Sequence, residues 1–237
     1  MNLHDFCKTI GLNYYATSRK EILVSAVGGF LGILAIFMIS EALFGDKIAV
    51  LIVPSMGASA VLLFAAPHAP FSQPWNVMAG HILSATIGVA CWQWIPYPTI
   101  AASAAVGLAI AAMYLARCLH PPGGATALAA VIGSAELHRL DFGYVIQPIL
   151  LNVVLILLTA FLFNGLFKGR RYPAPLDSGS KPASLTADRY MPINHEDFVY
   201  ALSQIDTIVD VTEDDLLKIY QLATIRHRNI DQHAADT

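Results

Sequence analysis

Two histidines in this chain stand among apolar residues. His81 lies a turn or two inside the stretch Trp75–Ile95, and His120 opens His120-Pro121-Pro122-Gly123-Gly124-Ala125-Thr126-Ala127. An imidazole titrates near neutral pH, so a histidine in such a place is suited to passing a proton. It is equally suited to standing neutral and hydrogen-bonded to a neighbouring helix; both readings stay open for His81, and for His120 capping of backbone is the simpler of the two. Hydroxyls accompany them. Pro121-Pro122-Gly123-Gly124-Ala125-Thr126-Ala127 matches the earlier Pro54-Ser55-Met56-Gly57-Ala58-Ser59-Ala60 in the pattern P-x-x-G-A-[ST]-A. Proline lacks an N–H and is accommodated at a helix start. Glycine lets other groups approach the backbone. Each copy therefore reads as the first turns of a helix. The candidate anion-binding set is Ser55, Gly57, Ala58 and Ser59 from one copy, with Gly123, Gly124, Ala125 and Thr126 from the other. A helix N-terminus carries about half a positive charge. Two of them, converging, would balance a small monoanion without a lysine or arginine in the apolar runs. The competing reading is packing, since small-residue motifs commonly let membrane helices approach.

The surrounding elements set the depth of these residues. Of the 237 residues, 56% are hydrophobic and 13% charged, whereas a soluble domain carries about a quarter charged residues. Mean hydropathy is +0.56. A span needs about 20 mostly apolar residues. Four stretches qualify: Ile22–Phe44, Trp75–Ile95, Thr99–Leu119 and Tyr144–Phe167. Ile48–Ala66 and Pro121–Gly133 are apolar but shorter or broken, and they carry the duplicated motif. A Gln-Pro pair follows each copy, Gln73-Pro74 and Gln147-Pro148, and a small-residue helix precedes each. The fold expected is all-α: a polytopic transmembrane helical bundle with two inverted three-helix repeats containing broken or half helices, plus a small helical cytoplasmic tail. The expected divisions are residues 1–20 as a cytoplasmic or interfacial lead without a signal peptide, 21–96 as the first repeat, 97–170 as the second, and 171–237 as linker and tail. Asn76, Gln147 and Asn152 join the histidines as residues to line a path or to bind helices together.

Charge supplies a topology. Lys8, Arg19 and Lys20 precede the first stretch, and Lys168, Arg170 and Arg171 follow the last. Basic residues favour the cytoplasmic side, so both termini are expected there, in a bacterial inner membrane. Six crossings satisfy this and put Arg117 inside. Four crossings with two re-entrant segments are the alternative. Gly28 and Gly32 form a GxxxG pair suited to close packing, within the protomer or across a homodimer. Trp75, Trp92, Trp94 and Tyr97 stand where an aromatic belt would.

His120 to Ala127, with Val53 to Ala60, Gln73-Pro74-Trp75-Asn76 and Gly80-His81, resembles the HPP family of integral membrane proteins over roughly residues 20 to 168. That family includes nitrite transporters. The resemblance implies transport of a small inorganic anion, nitrite first, with lipid as the other partner and no cofactor.

Other functions find less support. No H-E-x-x-H, nucleophile elbow or P-loop occurs, so no enzyme activity is expected. Cys7, Cys91 and Cys118 form no pair with ligand or disulfide spacing. From Arg171 onward 11 acids face 6 bases, a balance of −5, which disfavours nucleic acid. Helices are expected from Asn194 to about Ser203 and after Thr212-Glu213-Asp214-Asp215. A sensor or scaffold working through this tail is the alternative function.

Overall fold

The computed structural model describes residues 18–45, 53–174 and Tyr220. Contacts divide the chain into two units, Arg19–Ser180 and a second made of Met1–Ser18 with Lys181–Thr237. In the second, Ser18 and Tyr220 are described, the latter in helical conformation. The expected tail helices otherwise lie outside the described residues.

The first unit is helical, with no strand among the described residues. Its elements are α1 (Arg19–Phe44), α2 (Ser55–Ala65), a 3-10 turn at Pro70–Ser72, α3 (Pro74–Trp94), α4 (Pro98–Leu115), α5 (Pro121–Ile132), α6 (Ala135–His138), and a π-helical segment Val145–Leu150 that runs on into α7 (Leu151–Gly165). Prolines start α3, α4 and α5, where a missing N–H loses nothing. The residue before each, Gln73, Tyr97 or His120, is extended, as proline's ring requires. At the other end of α4, Arg117 adopts φ +52° and the Cys118 N–H donates back to the Met113 carbonyl at 2.9 Å. This left-handed residue closes the helix.

Two polar groupings mark the ends of the bundle. At the first, Arg170 pairs with Glu21 and donates to the carbonyl of Phe64. The Tyr172 hydroxyl donates to the Ser72 carbonyl at 2.7 Å, and the Trp75 and Asn76 side chains donate to the carbonyls of Ala116 and Leu119. At the second, the Gln93 amide meets the Asp141 carboxylate and the rings of Trp92 and His138 stack with centroids 3.7 Å apart. Helices α1, α3 and α5 run from the first end to the second; α2, α4 and α7 run back. The order long, short, long thus occurs twice in opposite directions, and Arg19 and Arg170 share one end.

Among the described residues three helical stretches are long and apolar enough to cross a membrane: Arg19–Leu43, Pro98–Leu115 and Val145–Gly165. The expected fourth, now α3, has 21 residues, but Asn76, His81, Ser84 and Gln93 make it less apolar. It still runs the length of the bundle, packed against α4, α5 and the π-helical segment. The short helices α2 and α5 have 11 and 12 residues. At 1.5 Å per residue each covers roughly half of a 30 Å hydrocarbon layer.

The surface is apolar and much of the interior polar. Leu23, Phe30, Met38, Leu108, Leu115, Ile146 and Leu162 are exposed, while Ser40, Ser55, Ser59, His81, Ser84, His120, Thr126, Asn152 and Asn164 are buried. Apolar exposure on this scale needs a lipid surround, and this part of the chain is an integral membrane protein. Trp75, Trp94 and Tyr97 are exposed at helix ends, as an interfacial belt requires.

Glycines hold the helices close. A Cβ at Gly88 would lie 2.6 Å from the Ala127 carbonyl oxygen, and one at Gly80 would lie 2.7 Å from the His120 Cβ. Gly28 and Gly32 accommodate the ring of Phe64, with Phe163 beside Gly28. The GxxxG pair therefore packs within the chain. The second Gln-Pro pair differs from the first. Pro74 starts a helix, whereas Pro148 lies inside a helical run. Proline removes a hydrogen bond there, and the π-helical widening accommodates it.

Candidate functional site: a buried hydroxyl and imidazole cluster

Ser55 and Ser59 stand four residues apart on α2 and therefore share a face. That face meets α5 in antiparallel overlap, with Ser55 level with Thr126 and Ser59 level with His120. His81 enters from α3 between them. The Ser59 Oγ lies 2.8 Å from His81 Nε2 and 3.0 Å from His120 Nε2. The Thr126 Oγ1 lies 2.7 Å from His81 Nδ1 and 2.7 Å from Ser55 Oγ. The other ring nitrogen of His120 meets the Phe71 carbonyl at 2.8 Å. The two imidazoles cross edge to face, with centroids 4.8 Å apart.

All five side chains are buried, four of them at 0% exposure and Ser55 at 2%. A polar group buried without a partner costs several kcal/mol in an apolar surround, on the order of 2–7. Here each group's partners are the others. Around them, the Tyr144 hydroxyl donates to the Thr126 carbonyl at 3.4 Å. Gly123 is closely enclosed: an added Cβ would lie 2.7 Å from Ser84 Oγ and 3.1 Å from the Gly80 carbonyl oxygen. None of the cluster's hydrogen bonds involves an acid, lysine or arginine. Among the described residues no three His, Cys, Asp or Glu side chains gather as a metal ion would need.

The structure brings together Ser55, Ser59, His81, His120 and Thr126, and closes Gly123 against their edge. It turns Gly57, Ala58 and Ala125 to the exposed side of their helices, with Gly124 half-buried. The two motif starts do not converge. Their overlap is antiparallel, so Ser55 lies level with the second turn of α5. Nor are their first N–H groups free: those of Met56, Gly57 and Gly123 donate to the carbonyls of Val53, Pro54 and His120. Asn76 is half-buried and holds the Leu119 carbonyl at 3.0 Å, one residue before His120. Asn152 is buried elsewhere on α7, and Gln147 is exposed. A shallow hollow of about 360 Å³ lies between α1 and α2, lined by Ser25, Ala26, Gly29, Gly57, Ala60 and Val61 among others. It is apolar, sits on the opposite face of α2 and contains none of the cluster's side chains.

Sequence reasoning missed three contributors. Phe71 acts through its carbonyl, which no side-chain pattern signals. Tyr144 was read simply as the start of an apolar stretch, although its hydroxyl demanded a partner. Arg170 was counted as a topological charge, yet it is buried and clamps Glu21, Phe64 and Asn164.

Comparison with known proteins agrees with the membrane architecture. Residues 15–173 match the family model described as HPP, transmembrane region. Two transmembrane proteins of Dictyostelium discoideum are each 38% identical to this chain, over 158 and 160 residues; each alignment covers 65% of this chain and 50% or 55% of the relative. The chain thus spans about half the length of these relatives. No solved structure matches it. With most of its apolar helices inside the matched region, the chain belongs to the HPP family of membrane proteins.

Proposed function

We infer that this protein carries a small inorganic anion across the membrane together with a proton, and that nitrite, known among cargoes of the family it resembles, is the first to try. The observation that supports the reading is the cluster itself: two imidazoles bridged by one serine hydroxyl, at the overlap of two half-length helices. An isolated charge in a low-dielectric interior is expensive, and a pair of opposite charges much less so. One proton on the imidazole pair balances one monoanion, and the hydroxyls of Ser55, Ser59 and Thr126 are suited to hydrogen-bond it. The N–H groups of Met56, Gly57 and Gly123 already donate to carbonyls, which favours binding by side chains over binding by helix ends. Coupled movement in this ratio transfers no net charge. In this reading the closed cluster is an occluded state, and the opposite helix directions in the two halves are consistent with the inverted repeats of an alternating-access carrier. The end holding Arg117, Lys168 and Arg171 is the cytoplasmic one, by the bias of basic residues.

The test is flux into proteoliposomes containing the full chain and a nitrite reporter. Saturable entry, faster with an inward proton gradient and indifferent to membrane potential, is expected. Entry no faster than in protein-free vesicles, with insertion confirmed, would rule out nitrite as cargo.

A further inference from the structure

The buried cluster has a direction, and the direction follows from one backbone carbonyl. A carbonyl only accepts, so His120 carries its hydrogen on Nδ1, facing the Phe71 oxygen at 2.8 Å. Two imidazoles 4.8 Å apart, wholly buried and without an acid neighbour, are neutral at rest. A neutral ring has one N–H and one acceptor nitrogen. His120 Nε2 is therefore an acceptor, and the Ser59 hydroxyl donates to it. That uses the single hydrogen of Ser59, so its oxygen accepts from His81 Nε2–H. His81 Nδ1 is then the acceptor, and the Thr126 hydroxyl donates to it. The Thr126 oxygen in turn accepts from Ser55. Every hydrogen points one way: Ser55 to Thr126 to His81 to Ser59 to His120 to the Phe71 carbonyl.

We propose that this chain of five hydrogen bonds is a polarised proton relay, set to hand a proton from the Thr126 level to His120 at the end of the bundle that holds Phe71. The proposal rests on the transport reading for its purpose but not for its geometry. A proton reaching His81 Nδ1 displaces the Thr126 hydroxyl, which has a second acceptor in the Pro122 carbonyl at 3.3 Å. His81 is then an imidazolium. Its Nε2–H bond breaks as the proton passes to the Ser59 oxygen, and the Ser59 O–H bond breaks as its proton passes to His120 Nε2. His81 is left neutral with its hydrogen on Nδ1, and the charge resides on His120. No other reactant is needed. Once the site opens to water, loss of the Nδ1 proton of His120 to water leaves both rings in the opposite tautomer; exchange with water then removes the His120 Nε2 and His81 Nδ1 protons and returns one each to His120 Nδ1 and His81 Nε2, while the hydroxyls turn back. Ser59 has a resting acceptor for this turn, the Ser55 carbonyl at 3.2 Å. The groups hydrogen-bonded to the two rings are Ser59 from α2, Thr126 from α5 and the Phe71 carbonyl, and the rings face each other; Ser55 meets the Thr126 hydroxyl and Tyr144 the Thr126 carbonyl.

The experiment is nitrogen-15 NMR of the histidine side chains in the full-length protein, in lipid, at a pH where both rings are neutral. His81→Asn and His120→Gln assign the two signals. The expected result is His120 protonated on Nδ1 and His81 protonated on Nε2, opposite tautomers in one site. His120 carrying its hydrogen on Nε2, or His81 carrying it on Nδ1, overturns the proposal whether or not nitrite is transported. Ser59→Ala should leave the His120 tautomer in place, raise the Nδ1–H population of His81, and lower gradient-driven uptake at least tenfold. Thr126→Val, against Thr126→Ser, repeats the cut should Ser59→Ala fail to fold. Unchanged gradient-driven uptake in a folded variant with the Ser59 or Thr126 hydroxyl removed overturns the relay and leaves the transport reading standing. If the wild-type protein takes up no nitrite, the transport reading falls and the tautomers still decide the relay.

Discussion

Ser59 and Ser55 occupy the same helix face, yet their removal should differ in cost. Ser59 bridges two rings, so Ser59→Ala strands two imidazole nitrogens, whereas Ser55→Ala leaves Thr126 still bonded to His81. A stranded buried polar group costs about 1–3 kcal/mol. Ser59→Ala should therefore lower unfolding free energy by roughly twice as much as Ser55→Ala, read from denaturant titration in detergent. Tyr172, beyond the last helix, gives a pH signature. Burial pushes its phenol above the ordinary range, and its hydroxyl is held by Ser72. A raised folded value means that its contribution to stability is intact below the unfolded phenol pKa, about 10, and is lost as pH rises above it. The wild-type protein should lose stability more steeply above pH 10 than Tyr172→Phe, in thermal melts across that range. Most members of the cluster were legible as polar residues: hydroxyls and histidines among apolar neighbours single out Ser55, Ser59, His81, His120 and Thr126. Their pairing was not, because it depends on the offset between α2 and α5, which no spacing along one chain encodes. Gln147, offered by the sequence for lining a path or binding helices, is exposed outside the cluster, because at Pro148 the chain keeps winding through the π-helical segment.

Helix contacts divide the glycines of the duplicated motif into two kinds. Nothing lies within 4 Å of a Cβ added at Gly57, while one at Gly123 meets Ser84, Met113 and the Gly80 carbonyl. Gly57→Ala should stabilise by about 0.5–1 kcal/mol, since glycine is a poor helix former. Gly123→Ala should destabilise by about 1–3 kcal/mol through overpacking. Gly88→Ala should be worse than Gly123→Ala, because the atom in the way is a backbone oxygen. Thermal midpoints of the three variants check the order and the signs. The matched motif holds at the level of single positions: Gly57 and its counterpart Gly124 are both uncrowded and Ser59 and Thr126 are both buried, whereas the enclosed Gly123 stands where the first copy has the buried Met56. The long apolar helices α1, α4 and α7 were plain from composition. α3 was plain by length, but its polar inward face lowers its hydropathy.

For the molecule as a whole, the arrangement closes through Arg170. This side chain pairs with Glu21 on α1, donates to the last turn of α2 and reaches Asn164 on α7. A cation at a helix C-terminus is favoured by the exposed carbonyl dipoles, and guanidinium can serve several acceptors at once where ammonium cannot. Arg170→Ala should cost about 3 kcal/mol, the usual penalty for removing one partner of a buried pair, and Arg170→Lys should recover less than half of it, as measured by unfolding in detergent. The same contact has a consequence for synthesis. Ser25, one turn from Glu21, precedes Arg170 by 145 residues. At about 5–20 residues per second, the first helix waits roughly 7 to 30 s for its lock. The helix that packs early against α2 therefore gains this ion pair only once the last described turn has been made, so one contact of α1 is added at the end of the bundle rather than in chain order.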